Sequence, residues 1–207
     1  MVPGKERIMS KIEMKPATML YPLPAVMVSC GSMESSNIIT IGWTGIICTT
    51  PPRTYVSIMP SRFSHDIVEE RREFVINLTT RDLAYATDIC GVKSGRDIDK
   101  FKEAGLTKVP ASKLDCPMIA ESPVNLECRV FQVERLGSHD MYMADIVAVH
   151  VNEELMDEDG RIALEKAGLI SYFHGHYFGI NDKKIGRFGW TVMKDKTKKR
   201  LAREKKL

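Results

Sequence analysis

Apolar residues in this chain recur mostly at every second position, in short runs broken by Gly, Pro, Ser and Asn, which is the period of a β-strand rather than of a helix. The densest series lies between Ala25 and Leu78, and the rest of the chain reads as organised around it. Val26 and Val28 alternate with Met27 and Ser29, and Gly31 to Ser36 is a turn of small polar residues. The spacing predicts further strands over Asn37–Trp43, Thr54–Met59 and Phe74–Leu78. Between the first and second of these, the stretch from Trp43 to Pro52 ends in a diproline that blocks ladder hydrogen bonds, so it reads as an extended loop able to offer backbone N–H groups to a ligand.

Two helical segments are expected next, Arg81–Ile89 and Arg96–Ala104, the latter closed by Gly105. The alternation then resumes from Leu126 to Val130, breaks at Val130-Phe131 as a bulge would, and continues across Leu136–Asp140 into Met141–Val151. Met143, Val147, Val149 and Val151 fall mostly on one face of this second arm. A long hairpin is expected there, followed by a helical turn at Leu164–Gly168 and a final aromatic-rich strand over Ile170–Ile180. Tyr21-Pro22-Leu23-Pro24 makes a rigid entry to the first strand. Short strands with few long helices predict a mainly β fold with short helices, a barrel whose ends the helices fill.

At 207 residues the chain suits one domain able to bury a core without disulfide staples. We divide it into a surface extension over residues 1–17, a single domain over 18–193 and a basic tail over 194–207. The first 17 residues carry Lys5, Glu6, Arg7, Lys11, Glu13 and Lys15, which interrupt any signal-peptide core, and no apolar run approaches the length of a membrane span. A cytoplasmic protein without membrane association is the expectation. Five cysteines, Cys30, Cys48, Cys90, Cys116 and Cys128, are odd in number and show no CxxC spacing, so reduced, mostly buried thiols are expected rather than a disulfide framework or a metal site. His174 and His176 stand two apart with no third ligand near them in sequence. The net charge of +3 conceals a tail with eight Lys/Arg against two Asp/Glu, so the body is slightly acidic. The body is not a nucleic-acid surface, and the tail reads as a solvated terminus rather than as a contact for anionic polymer or lipid.

The chemistry concentrates in the turn Ser61-Arg62-Phe63-Ser64-His65-Asp66, where two hydroxyls, a guanidinium and the free amides of a helix start meet, the equipment of a phosphate site. The residues alone leave open a second reading, in which Ser64 merely caps a helix starting at His65 and Arg62 points to solvent. There is no GxGxxG opening a helix, no GxxxxGK[ST], no GxSxG and no HExxH, which disfavours a Rossmann cofactor domain, a nucleotide hydrolase, a serine hydrolase and a zinc protease.

The Ala25–Leu78 stretch, together with Ser94-Gly95-Arg96-Asp97-Ile98-Asp99-Lys100-Phe101, Asn125–Cys128, Gly137-Ser138-His139-Asp140 and His174–Tyr177, resembles the flavin reductase family, the FMN-binding split β-barrels, and within it the flavoredoxin and NAD(P)H:FMN oxidoreductase branch. The resemblance covers roughly residues 18–185 and implies bound FMN with NAD(P)H as a transient donor, a small-molecule or protein electron acceptor, and a homodimer with flavin near the interface. It places Ser61, Arg62 and Ser64 at the phosphate. Asn37 and Thr44 fall at ribityl or ring polar atoms, and Trp43 packs at the flavin, with Gly45, Cys48 and Thr49 in the adjoining loop. Lys100, with Lys93 as its rival, falls near the ring, where a cation would favour the reduced state. His139 also stands at the flavin, and Phe173, next to Tyr172, closes over it. Read without the family, Asn37 is a turn residue, Trp43 a core aromatic, Lys100 an exposed helical lysine and His139 a hairpin-turn residue. No acid–base pair is obvious, which accords with redox chemistry carried by a cofactor. Other functions on the same barrel are a flavoredoxin-like carrier with little NAD(P)H turnover and a binding module without an active flavin site.

Overall fold

Inward-pointing residues of strands far apart in the sheet meet in one apolar cluster, and this explains why the sheet must curl. In the computed structural model, which describes residues 10–180, 183–186, 188–194 and 197, the strands run as Leu23–Pro24 (β1), Val26–Gly31 (β2), Ser36–Ile41 (β3), Thr44–Thr49 (β4) and Pro52–Ile58 (β5). Helix Phe63–Arg71 (α1) and strand Glu73–Asn77 (β6) follow, then helices Ala84–Val92 (α2) and Lys100–Glu103 (α3). The chain continues through Lys108–Pro110 (β7), Pro117–Ile119 (β8), Val124–Arg135 (β9), Asp140–Val151 (β10), Ile170–Phe173 (β11) and His176–Gly179 (β12).

The main sheet has seven strands in the order β3-β2-β6-β9-β10-β5-β4, and every pairing in it is antiparallel. Val26, Val28 and Cys30 of β2, Ile39 and Ile41 of β3, Val56 and Ile58 of β5, and Tyr142 and Ala144 of β10 are buried together. Strands near both ends of the sheet thus face one interior, as a split barrel requires. The other face of β2 and β3 is covered as well, with Met27 and Ile38 packed against Leu83, Ala86 and Cys90 of the α2 region and Phe101 of α3. That double coverage is why all six residues of β2 are buried, although Ser29 is polar; its hydroxyl donates to Pro117 O at 2.6 Å.

The long hairpin forms as its alternation predicts, and Phe131 is indeed the extra residue, because Met143 faces Gln132 while Ala144 faces Val130. A second irregularity lies between Ile146 and Ala148, so the residues expected on one face divide: Met143 pairs with Gln132, on the face away from the interior cluster, while Val149 pairs with Leu126, which packs against that cluster. Four expectations need correction. The stretch after Trp43 is an edge strand, β4, paired with β5, rather than a loop. The helix expected over Arg96–Ala104 is only the single turn of α3, with Asp99 as its cap and Gly105 just beyond it at a φ of 65°. The helix expected over Arg81–Ile89 begins and ends three residues later, as α2. The expected strand over Ile170–Ile180 is a hairpin, because His174 and Gly175 both take positive φ (51° and 81°) and reverse the chain.

That hairpin joins β1 in a second sheet, ordered β1-β11-β12. Residues 10–17 are exposed without regular structure; the first nine residues and most of the basic tail lie outside the described residues. All five cysteines are free, four of them buried. No helix among the described residues is long and apolar enough to cross a membrane.

Candidate functional site

The turn after β5 is built by Arg62 N donating to Met59 O at 3.0 Å, which reverses the chain so that α1 starts at Phe63 with Arg62 as its extended N-cap. No side chain caps this helix, so first-turn amides there lack a side-chain acceptor. Both earlier readings of Ser64 are therefore modified. It lies inside the first turn, is buried, and its hydroxyl accepts from Asn37 Nδ2 at 2.8 Å, which fixes α1 to β3. Asn37 is a buried tie, not a turn residue.

Opposite this turn runs the segment between α2 and α3. Gly95 sits so close to β3 and α1 that an added Cβ would collide with Asn37 Oδ1 and Phe63 Cδ1, so only glycine allows the segment to close here. Arg96 then reaches over the Phe63 ring, 5.3 Å from its centroid, donates to Ser61 O at 3.1 Å, and lies 3.6 Å from Asp66. Lys100 is buried, with its ammonium donating to Ile38 O and Cys90 O at 2.7 Å each. Burial, with the Arg62 charge adding to it, lowers the pKa of Lys100 below its ordinary value.

These residues enclose a cavity of about 210 Å³ lined by Ser61, Arg62, Lys93, Ser94, Arg96 and Lys100, with Asn37 and Ser64 on its floor and no carboxylate in its wall. An ammonium has three donors, and Lys100 spends two on carbonyls, so its charge is left without a counter-ion in the wall of a pocket carrying three further cations. Such a pocket is suited to an anion.

A larger cavity of about 380 Å³ adjoins it, and Ile39, Met59, Arg62 and Gly91 line both. One wall is Trp43 with His139, ring centroids 4.4 Å apart at 44°. His139 reaches it from the β9–β10 turn, where Leu136 N donates to His139 O. Burial, followed by the charge of Arg62, lowers the His139 pKa, so the neutral imidazole is favoured. Facing this wall are Tyr172, Gly175 and Tyr177 from the β11–β12 hairpin and Asp88 and Val92 from α2, with Tyr177 OH donating to Asp88 Oδ1 at 3.3 Å. The joined space is a slot with aromatic and apolar walls that ends in a cationic pocket.

The structure thus gathers Asn37, Trp43, Ser61, Arg62, Ser64, Lys100 and His139 around one continuous space. Arg62, although exposed, is common to both parts of it. Lys100 lines the cationic end and not the aromatic slot, and Lys93 lines that end too. Thr44, Gly45, Cys48 and Thr49 line neither cavity. They belong to edge strand β4, where the Thr44 hydroxyl is engaged by Tyr55 O and Cys48 Sγ by Thr50 O. Phe173 is also displaced. Side chains alternate along β11, so Tyr172 faces the slot while Phe173 stacks on Phe178 at 4.0 Å and 3°. Sequence reasoning missed Asp88, Ser94, Arg96 and Tyr177 as lining residues. Arg96 stood within the singled-out SGRD run, and only its bond to Ser61 O reveals which wall it closes.

A sequence model of the flavin reductase like domain matches residues 18–181 of the chain. An uncharacterized protein of Archaeoglobus fulgidus is 32% identical over 165 residues, covering 80% of this chain and 92% of its own length. Among solved structures, the flavoredoxin of Desulfovibrio vulgaris (Miyazaki F) matches with a TM-score of 0.81 at 26% identity, over 88% of this chain and 100% of its own. An FMN-binding protein from Thermus thermophilus with bound 1-cyclohex-2-enone matches with a TM-score of 0.74 at 25% identity, over 87% and 100%.

Proposed function

The chain belongs to the flavin reductase like family and has its split β-barrel, and from that premise we propose that it is an FMN-binding oxidoreductase that takes reducing equivalents from NAD(P)H and passes them to free flavin or to a small-molecule or protein acceptor. The observation that carries the reading is the buried ammonium of Lys100, without a carboxylate beside it, in a wall shared with Arg62, Lys93 and Arg96, at the end of a slot walled by Trp43 and His139. A terminal phosphate would neutralise that end, and a planar ring system would fill the slot. Arg62, Arg96, Lys93 and Ser61 would hold the phosphate, with Lys100 supplying charge from beneath; Trp43 and His139 would orient the ring. Bound there, FMN supplies two-electron redox chemistry. The protein's part is placement, exclusion of water and fixed charge. The neutral imidazole of His139 has its Nδ1 within 3.0 Å of Ser138 Oγ, so Nε2 is the ring nitrogen it would offer to a ligand in the slot.

The Thermus thermophilus FMN-binding protein was solved with bound 1-cyclohex-2-enone, and a small cyclic molecule is one kind of acceptor this reading allows for the present chain. The likeness to a flavoredoxin favours a second reading, a carrier that holds FMN tightly and turns over NAD(P)H little. We also propose a homodimer formed through the open edge of β4, where Ile46 and Ile47 are exposed. Purified protein with the visible spectrum of bound flavin supports the cofactor. Rapid anaerobic bleaching by NADH or NADPH supports the reductase, and bleaching by dithionite alone supports the carrier. Protein that takes up no FMN would overturn both readings and leave a binding module. Calorimetry should give tighter binding of FMN than of FAD, because the cationic pocket accommodates a terminal phosphate and closes on Arg96.

A further inference from the structure

Arg62 and His139, which reach the slot from different elements, are each followed in the chain by a member of one closed ring of side chains. Three residues after Arg62, His65 Nε2 lies 2.7 Å from Asp140 Oδ2. Asp140, immediately after His139, also accepts from Arg135 Nη1 at 2.5 Å. Arg135 Nη2 reaches Glu69 Oε1 at 2.9 Å, Glu69 Oε2 accepts from Tyr142 OH at 3.0 Å, and the Tyr142 ring meets the His65 ring edge-on at 5.7 Å. Asp140 and Tyr142 are buried, so this ring seals the seam between α1 and the β9–β10 turn. Burial alone would raise the pKa of the Asp140 carboxyl, but the bonds from His65 and Arg135 outweigh it and keep the group ionised.

We infer that Asp140, through His65 and Arg135, is a positioning residue that ties the phosphate end of the site to its ring wall. One carboxylate fixes the first turn of α1, hence the guanidinium of Arg62, and at the same time fixes the strand start that aims His139 at Trp43. The backbone also joins the two, through Arg62 N to Met59 O and the pairing of Ile58 with Asp140; the carboxylate adds the side-chain tie between the first turn of α1 and that strand start. The affinity readouts below rest on the flavin reading given above, and the fluorescence readout does not.

The variants are Asp140→Asn, which keeps shape but removes the charge, His65→Ala, which breaks the same tie at a half-buried position, and His65→Gln, which restores an N–H donor. In a Trp190→Phe background Trp43 is the remaining tryptophan of the two in the chain, so its emission reports the His139 stack in flavin-free protein. Asp140→Asn and His65→Ala should change Trp43 emission in the same direction as His139→Ala, and His65→Gln should restore it. Riboflavin affinity should fall about fivefold in Asp140→Asn, and the ratio of FMN to riboflavin affinity should fall as well, whereas Arg62→Ala lowers the ratio alone. A merely stabilising role would lower the melting temperature and move neither the emission nor the ratio. If Asp140→Asn fails to fold, His65→Ala carries the test. Folded variants with wild-type emission and an unchanged ratio would overturn the inference. Altered emission in protein that binds no flavin would sustain it while refuting the cofactor reading.

Discussion

Arg62 lines both parts of the site, but its guanidinium charge has a dianionic partner only in a terminal phosphate, so its removal should be felt mainly at the phosphate end of a ligand. Arg62→Ala is expected to weaken FMN binding by a charge-assisted contact, about 1.5–3 kcal/mol, and to leave riboflavin binding nearly unchanged; calorimetry with the two ligands checks this. Lys100 gives a different expectation from the one its sequence neighbourhood raised. Near a flavin ring it would tune the reduction potential, but its ammonium lies at the cationic end, held by Ile38 O and Cys90 O. Lys100→Met should therefore weaken FMN and lower stability, by loss of two buried hydrogen bonds, while the potential of bound flavin moves little. A large shift in potentiometry would return Lys100 to the ring.

At the scale of the element, β9 carries a device that has no part in the site. Glu127 points into the protein and accepts from Ser112 N, Ser112 Oγ and Lys113 N at 2.8 Å each and from His150 Nε2 at 2.6 Å, latching the β7–β8 connection onto the sheet. Burial pushes its carboxyl up, yet these bonds, led by His150, outweigh it and hold the pKa down to about 2 from 4.5. Because the folded value is the depressed one, the latch stabilises fully above pH 4.5 and its contribution is lost as pH falls toward 2. Glu127→Gln should cost about 1–3 kcal/mol at neutral pH and flatten that acid dependence, read by denaturant unfolding across the range.

The strands of the barrel were legible because alternation survives wherever one face is buried, as Val26, Val28 and Cys30 show. Strand β4 was not, since Thr44-Gly45 and the Thr49–Pro52 run carry turn chemistry while the strand sits on an edge that buries little. The split of the last strand depends on His174 adopting a positive φ, which a histidine does not advertise. Within the site, the local turn at Arg62 could be read directly. Lys100, Tyr172, Tyr177 and Arg96 depend on how distant segments pack, so pattern alone did not show that Lys100 lines the cationic pocket or that Tyr172 rather than Phe173 lines the slot.

For the whole molecule, edge and tail make opposite predictions. Ile46→Glu on the open edge of β4 should convert the proposed dimer to monomer in sedimentation, since a buried carboxylate at a pairing edge is costly. Truncation after Met193 removes a net charge of about +6 and should change neither dimer mass nor flavin content. The second sheet has a consequence for assembly in time. The cationic pocket draws its lining from residues 37–100, whereas the aromatic slot is completed by His139 and then by Tyr172 and Tyr177, across a hairpin that must find β1 at the far end of the chain. Closing so long a loop is slow compared with local pairing. Pulse-labelled amide exchange during refolding should therefore protect α2 and β3 before β11 and β12, and a chain caught between the two stages would have its cationic pocket formed while the aromatic slot still stands open.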